Sequence, residues 1–372
     1  MRIGCPTETK TLEYRVGLVP GSVRELVHHG HEVTMQTGAG LGIGFDDGAY
    51  EAAGAQIAGT AKDVFADAEM IVKVKEPLTP ERKMLREGQV LFTYLHLAAD
   101  ADQTRDLLAS GVTAIAYETV TGEDGGLPLL APMSEVAGRM SVQVGAHFLE
   151  KENGGAGILL GGVPGVAAGK VVIIGGGVAG RNAAHMAMGL EANVTVLERS
   201  LPKLNELDAR YGGQINTLYS TVDAAENAIV NADLVVGAVL LPGAAAPRIV
   251  TREMLRAMRP GSVVVDISID QGGCFETSRP TDHANPTYLE EEVVHYCVTN
   301  MPGAVPRTSA FALNNATLPF ILRVANKGAK AALADDPHLM DGLNVHAGKV
   351  TYEAVARDLK LDYTPPENAL AA

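Results

Sequence analysis

Metal-type cysteine spacing, an HExxH helix, a basic block and a long apolar run are all missing from this chain. Its three cysteines, Cys5, Cys274 and Cys297, are odd in number and widely scattered. That pattern argues against a disulfide framework or a thiolate metal site and suits a reducing compartment. The cluster His28, His29 and His31 reads as decoration of a solvated helix end, so no metal is expected. With a net charge of −14 and no run of Lys or Arg, nucleic acid and anionic membrane surfaces are poor partners. The N-terminal MRIGCPTETK has no apolar core of a signal peptide. The longest uncharged run, residues 154–169, is broken by glycines and Pro164 and is too short to span a bilayer. The expectation is a cytoplasmic protein that does not enter the membrane.

Low-complexity tracts are also missing, and 372 residues with 47% hydrophobic content predict about two folded α/β domains. The most informative stretch is residues 170–200, KVVIIGGGVAGRNAAHMAMGLEANVTVLERS. Val171, Val172, Ile173 and Ile174 form the continuous β-branched run of a parallel strand buried on both faces. Gly175, Gly177 and Gly180 then give GxGxxG. The first glycine makes the tight turn, the second admits a pyrophosphate, and the third lets helix and strand pack closely. Val178 and Ala179 open the helix, whose N-terminal amides and dipole favour phosphate. Glu198 ends the next strand 18 residues after Gly180, where a carboxylate can accept the ribose hydroxyls. The segment GAGLGIG at residues 38–44 never meets this spacing and reads as a loop.

Before that unit, short β runs at residues 3–5, 32–35, 70–74, 90–94 and 112–117 alternate with helical stretches such as 22–29 and 100–110. They predict a second doubly wound sheet without a phosphate fingerprint. A loop, TGEDGGLPLLAP, leads into a helix lasting to about residue 151, with Ser134 in its cap region. After the dinucleotide unit, strands are expected at 234–238 and 263–269, then helices at 309–327 and 348–359. Those last helices have no strand of their own and are expected to return to the first domain. The fold class is therefore α/β with two doubly wound domains, one a Rossmann NAD-binding domain, and an active-site cleft between them. The boundaries are 1–130 with 307–372 for a discontinuous substrate domain, and 131–306 for the NAD-binding domain.

Four further residues, Arg15, Lys75, His96 and Asp270, carry candidate chemistry, and Lys73 lies beside the second of them. Arg15 interrupts the apolar EYRVGLVP, and Lys73 and Lys75 alternate in IVKVKEP, on one face of a strand. His96 ends VLFTYLHLA, and Asp270 ends VVVDISIDQGG, both at the carboxyl edge where such sheets bind ligands. Each has a plain structural reading: a surface pair of Arg15 with Glu13, a snorkelling Lys75, a hydrogen-bonded core His96, an Asx turn at Asp270. Together, a guanidinium, an ammonium, an imidazole and a carboxylate suit a site that holds a small carboxylic acid and moves protons beside a nicotinamide.

At these residues the sequence resembles bacterial L-alanine dehydrogenases, a family related to the NAD-binding subunit of proton-translocating transhydrogenase. The resemblance is carried by EYRVGLVP, GAGLGIGFDDGAYEAAGA, KVKEP, FTYLHLA, PLLAPMSEVAGRM, GGVPGV, VVIIGGGVAG, VVVDISIDQGGCFET and NMPGAVPRTSAFALNNATLP, which span nearly the whole chain. It implies oxidative deamination of L-alanine by NAD to pyruvate and ammonium, in a homohexamer. It also implies that Arg15 and Lys75 hold the substrate, His96 is the acid/base, and Asp270 helps to position or activate water. Ser134, Glu198, Lys203, Ser220, Val239, Leu240, Ile267, Asp270, Asn300 and Met301 are expected to bind NAD. Two departures stand out: Glu198 replaces the family's frequent Asp, and SRPTDHANPTY differs from the usual threonine-rich version, so no function is carried over to His283. The rival readings are a transhydrogenase-type NAD(H) subunit and a noncatalytic NAD(H)-sensing module.

Overall fold

The structure, a computed structural model, describes residues 1–239 and 246–371. The chain divides into two compact units, Met1–Met133 with Val305–Ala372, and Ser134–Ala304.

In the first unit, strands β1 (Arg2–Cys5), β2 (Glu32–Gln36), β3 (Gln56–Ala58), β4 (Met70–Val72), β5 (Val90–Thr93) and β6 (Thr113–Ala116) run parallel. The second unit contributes β7 (Lys170–Ile174), β8 (Asn193–Glu198), β9 (Asn216–Tyr219), β10 (Leu234–Gly237), β11 (Val263–Asp266), β12 (Thr287–Glu290) and β13 (Val293–Tyr296). Two late strands, β14 (Leu343–His346) and β15 (Lys349–Val350), belong to the first sheet. The orders are β15-β14-β6-β5-β4-β1-β2-β3 and β12-β13-β11-β10-β7-β8-β9. Each sheet starts in its middle, winds outward on one side, then crosses over and winds outward on the other. The switch points therefore lie between β1 and β4, and between β7 and β10.

Burial explains why these runs are strands. Every residue of β4, β5, β6, β10 and β11 is buried, as expected where helices cover both faces. Side-chain oxygens of Asp46, Thr60, Asp100, Thr221 and Thr251 accept a backbone N–H three residues on and start five of the helices. In the second unit, Val172, Ile174, Val235, Val264 and Phe275 form one continuous core. Full burial of such a side chain contributes about 1.5–3 kcal/mol.

The last part of the chain differs from expectation. It brings strands of its own: β14 pairs antiparallel with β6, and β15 pairs with β14 across a two-residue turn. Ala347 and Gly348 both have positive φ there (47° and 78°), the twist a tight hairpin needs. Helix starts only at Glu353. Val345, Val350 and Val355 then pack with Val64, Phe65, Ile71 and Leu91. The long helix Pro306–Lys327 is tied to the same unit by Asn314, whose Oδ1 accepts the Val19 N–H at 2.9 Å. His31 departs too: it is buried, with Nε2 2.9 Å from Asn326 Oδ1, while His28 and His29 are exposed.

Candidate functional site

In the first unit, candidate chemistry gathers at the carboxyl ends of the strands around the switch point. After β1 the chain loops back across the end of β4, so closely that a Cβ on Gly17 would lie 2.6 Å from the Val72 carbonyl oxygen. That contact sets the loop bearing Arg15 against the strand that leads to Lys75. Arg15 is buried and clasps Glu13, with Nε 2.6 Å from Oε1 and Nη2 2.5 Å from Oε2. The plain reading named the right partner but put it at the surface. Nη1 lies 3.1 Å from Met133 Sδ. The Nε–Nη2 edge is thus committed to Glu13, and the guanidinium is fixed before any ligand arrives.

Strand β4 ends at Val72, before both lysines, and the two differ. Lys73 is wholly enclosed, with Nζ 3.2 Å from Glu8 Oε2 and 2.7 Å from Glu81 Oε1. Lys75 is half-buried, and among the described residues no acidic group pairs with its Nζ within ion-pair distance. Burial and the nearby Arg15 guanidinium hold its ammonium below the usual lysine range, with Glu76 pulling the other way.

His96 leaves β5 in a left-handed conformation (φ 51°) with a half-exposed side chain, so it is no core histidine. Glu118, just past β6, fixes this exit: its carboxylate accepts the N–H of Leu95 at 3.2 Å and of His96 at 2.6 Å. The same Oε1 is 3.8 Å from His96 Nδ1. The ring stacks parallel to Tyr94 at 6.0 Å between centroids, and Tyr94 Oη donates to the Leu129 carbonyl. Burial raises the Tyr94 pKa against the opposing pull of Arg15, so Arg15 acts on both Lys75 and Tyr94. Sequence reasoning missed Glu118, although its place beyond a buried strand was visible.

In the second unit the switch point is built from backbone. Gly175 has φ 103°, and a Cβ there would lie 2.6 Å from the Ala238 carbonyl oxygen. One on Gly180 would fall 1.8 Å from the Gly175 carbonyl oxygen, while one on Gly177, which caps helix Val178–Gly189, would have nothing within 4 Å among the described residues. Close packing on two sides and open space on the third fit a bound pyrophosphate. Gly138 is a further glycine the sequence reading overlooked: its Cβ would meet the Ala179 carbonyl oxygen at 2.1 Å. Ser134 lies half-buried in the first turn of helix Ala131–Phe148.

Glu198 closes the glycine turn. Its Oε2 accepts the Gly176 N–H at 2.8 Å, and Oε1 accepts those of Arg199 and Ser200 at 2.7 and 2.9 Å. Burial alone would raise its pKa, but these amides and Lys203 Nζ, 3.8 Å away, hold it below the usual carboxylate range. The Ser220 N–H donates to the Glu198 carbonyl.

The strand expected over 263–269 stops at Asp266, which is fully buried. Asp266 accepts the N–H groups of Ser268 (3.0 Å) and Cys274 (2.9 Å) and the Ser278 hydroxyl (2.5 Å), curling the chain into a 3-10 turn over Ile267–Gln271. The Asx-type turn is thus made by Asp266. Asp270 is exposed on that 3-10 turn, not at a strand end. Ser268 Oγ accepts the Val239 N–H at 2.9 Å and donates to its carbonyl at 2.8 Å, joining the exits of β10 and β11. Leu240 lies outside the described residues. Asn300 takes φ 60°, its carbonyl lies 3.1 Å from His283 Nε2, and Met301 is buried beside it. Among the described residues no group of three or more His, Cys, Asp or Glu is placed to hold a metal ion. Among the same described residues, no helix is long and apolar enough to cross a membrane.

The pattern described as "Alanine dehydrogenase/PNT, N-terminal domain" matches residues 4–137, and "Alanine dehydrogenase/PNT, C-terminal domain" matches residues 141–353. The chain belongs to the alanine dehydrogenase/PNT family. Within it, the chain is 61% identical over 363 residues to an alanine dehydrogenase of Halomonas elongata, covering 98% of each protein. It is 58% identical to that of Bacillus subtilis, covering 100% of this chain and 98% of the relative. A solved L-alanine dehydrogenase superposes with TM-score 0.94 at 52% identity, over 97% of this chain and 99% of that one. A transhydrogenase from Sinorhizobium meliloti gives 0.83 at 26% identity, over 94% and 100%.

Proposed function

We propose that the chain catalyses the reversible oxidative deamination of L-alanine: alanine, NAD and water give pyruvate, ammonium, NADH and a proton. The observation that carries this reading is the cluster of Arg15, Lys75 and His96 at one switch point, in a family whose similar members are alanine dehydrogenases. The far lower identity to a transhydrogenase, 26% against 61%, favours it over the transhydrogenase-type alternative. A sensing module would have no use for an exposed imidazole set on a left-handed exit beside a half-buried lysine.

Bound NAD supplies the acceptor for the hydride that leaves the alanine Cα. Loss of hydride needs a neutral amine, whose lone pair becomes the second bond of the iminium. Arg15 attracts the substrate carboxylate, and Lys75 places a compact charge at the oxygen that develops on the carbon. His96 takes a proton from the water whose oxygen bonds to the iminium carbon. It then gives that proton to the nitrogen, ammonia leaves as the carbonyl forms, and the hydroxyl proton passes to the ammonia to give ammonium. Asp270 orients the water. The glycine turn, with Val178 and Ala179, receives the pyrophosphate. Ser134, Lys203, Ser220, Val239, Ile267, Asn300 and Met301 surround the remainder of NAD.

Glu198 selects NAD: a carboxylate about 4 Å from a 2′-phosphate costs about 4 kcal/mol or more at an effective dielectric near 20. The enzyme works as a cytoplasmic homohexamer. The assay is NADH consumption with pyruvate plus ammonium, omitting each component in turn. Consumption that needs all three components supports the reading, and none at all overturns it. A higher kcat/KM with NADP would overturn the coenzyme assignment.

A further inference from the structure

We propose that Glu8, paired with the buried Lys73 between itself and Glu81, is a positioning residue that presents Lys75 to the substrate. This rests on the substrate role of Lys75. Strand β1 ends at Cys5, so the backbone of β4 loses its neighbour on that side just before the functional lysine. On the other side the pairing continues: the Lys73 N–H donates to the Phe92 carbonyl, the Tyr94 N–H to the Val74 carbonyl, and Thr93 Oγ1 to the Lys75 carbonyl. The Val74 N–H points the opposite way, as alternate amides of a strand do. Glu8 Oε1 accepts it at 2.6 Å and lies 3.4 Å from the Lys75 nitrogen. A carboxylate has taken the place of the missing strand.

Burial pushes the Glu8 carboxyl above the usual carboxylate range, so holding it ionised needs a counter-ion to oppose that push. Lys73 provides it, and Glu81 Oε1 shares the ammonium at 2.7 Å. Glu81 Oε2 accepts the Leu78 N–H at 2.8 Å and the Thr9 hydroxyl at 3.2 Å. The segment carrying Lys75 is therefore pinned before it by Glu8 and after it by Glu81, with one ammonium joining the pins. None of the three side chains needs to touch the substrate.

The test uses the full-length enzyme, with alanine kinetics, NAD affinity and pyruvate affinity by calorimetry in the presence of NADH. Glu8→Ala is expected to raise the alanine KM and pyruvate Kd by about 10-fold or more, the worth of a charge-assisted hydrogen bond. NAD affinity stays within about 2-fold, and Glu8→Gln, which keeps an oxygen for the Val74 amide, restores most of the loss. In a Lys75→Ala background, Glu8→Ala adds no further rise. Should Glu8→Ala fail to fold, the Glu8→Leu/Lys73→Met/Glu81→Gln triple variant removes the whole buried ion cluster, keeps an oxygen for the Leu78 amide, and carries the same rise. An unchanged KM and Kd in the folded Glu8 variants overturns the proposal, as does an equal rise with and without Lys75. If Lys75→Ala itself leaves kinetics and Kd unchanged, the substrate role of Lys75 falls, and the proposal with it. A damaged Lys75→Ala beside a normal Glu8→Ala overturns the positioning alone.

Discussion

The two sheets are wound alike around their switch points, yet one switch point is made of charged side chains and the other of backbone. Between β1 and β4, a glycine contact at Gly17 brings together chain segments bearing Arg15 and Lys75, and His96 follows from the next strand. Between β7 and β10, glycine contacts at Gly175 and Gly180 set the path of the turn, and among the described residues nothing lies within 4 Å of a Cβ built on Gly177. On the proposed function, the same topology serves two recognition problems. A small acid must be gripped and chemically altered, so its sheet edge carries groups that hold charge and exchange protons. A dinucleotide must be bound and released unchanged at its phosphates, so its edge carries dipoles fixed by the chain path.

The sharpest way to break this contrast is His96→Ala. It is expected to lower kcat by about 100 to 10,000-fold while NAD affinity stays at the wild-type value. Retained turnover, or a matching loss of NAD affinity, would contradict a division of labour. Gly180→Ala attacks the other edge: a Cβ 1.8 Å from a carbonyl oxygen forces strand and helix apart. Overpacking of 1–3 kcal/mol predicts an NAD Kd raised by about 5 to 150-fold, readable by fluorescence titration. Arg15→Lys keeps the charge but loses the fork that grips Glu13, so the alanine KM is expected to rise about 10-fold with kcat much less affected. An unchanged KM would mean that another group holds the carboxylate.

The smallest effects belong to Glu198. Glu198→Gln should narrow the preference for NAD over NADP, measured as the ratio of kcat/KM values. Its pKa is depressed in the fold, so the stability it contributes is complete above the unfolded carboxylate value and is lost as pH falls through the folded value. The coenzyme-free Tm of the wild type should therefore drop more on acidification than that of Glu198→Gln. Parallel melting curves would remove Glu198 from the acid response.

What was legible in the sequence follows the same division. The glycine turn could be read because each glycine answers a backbone requirement fixed over a few residues. Arg15, Lys75 and His96 could be found as charges at the ends of apolar runs. Their partners could not. Glu118 reaches His96 across 22 residues, and Glu8 reaches Val74 across 66, so their roles exist only after strands have paired. Asp266 escaped because an acid at the end of VVVD looks like the beginning of more strand, whereas its carboxylate turns the chain. Strands β14 and β15 escaped because LNVH and KV are short and flank an Ala-Gly pair that carries no distinctive turn signal. The helix after them is apolar enough to have absorbed the whole region.

Those two late strands also set an order of events during synthesis. Strand β6 leaves the ribosome more than 200 residues before β14, its antiparallel neighbour. Throughout that interval the first sheet has an open edge, and Ile71 and Leu91 lack the cover of Val345 and Val355. The Ser134–Ala304 unit, by contrast, has all its strands before β14 is translated. The nascent chain therefore completes the strands of its glycine-turn unit while the unit bearing Arg15, Lys75 and His96 is still unfinished, and that unfinished edge is where chaperones have the most to protect.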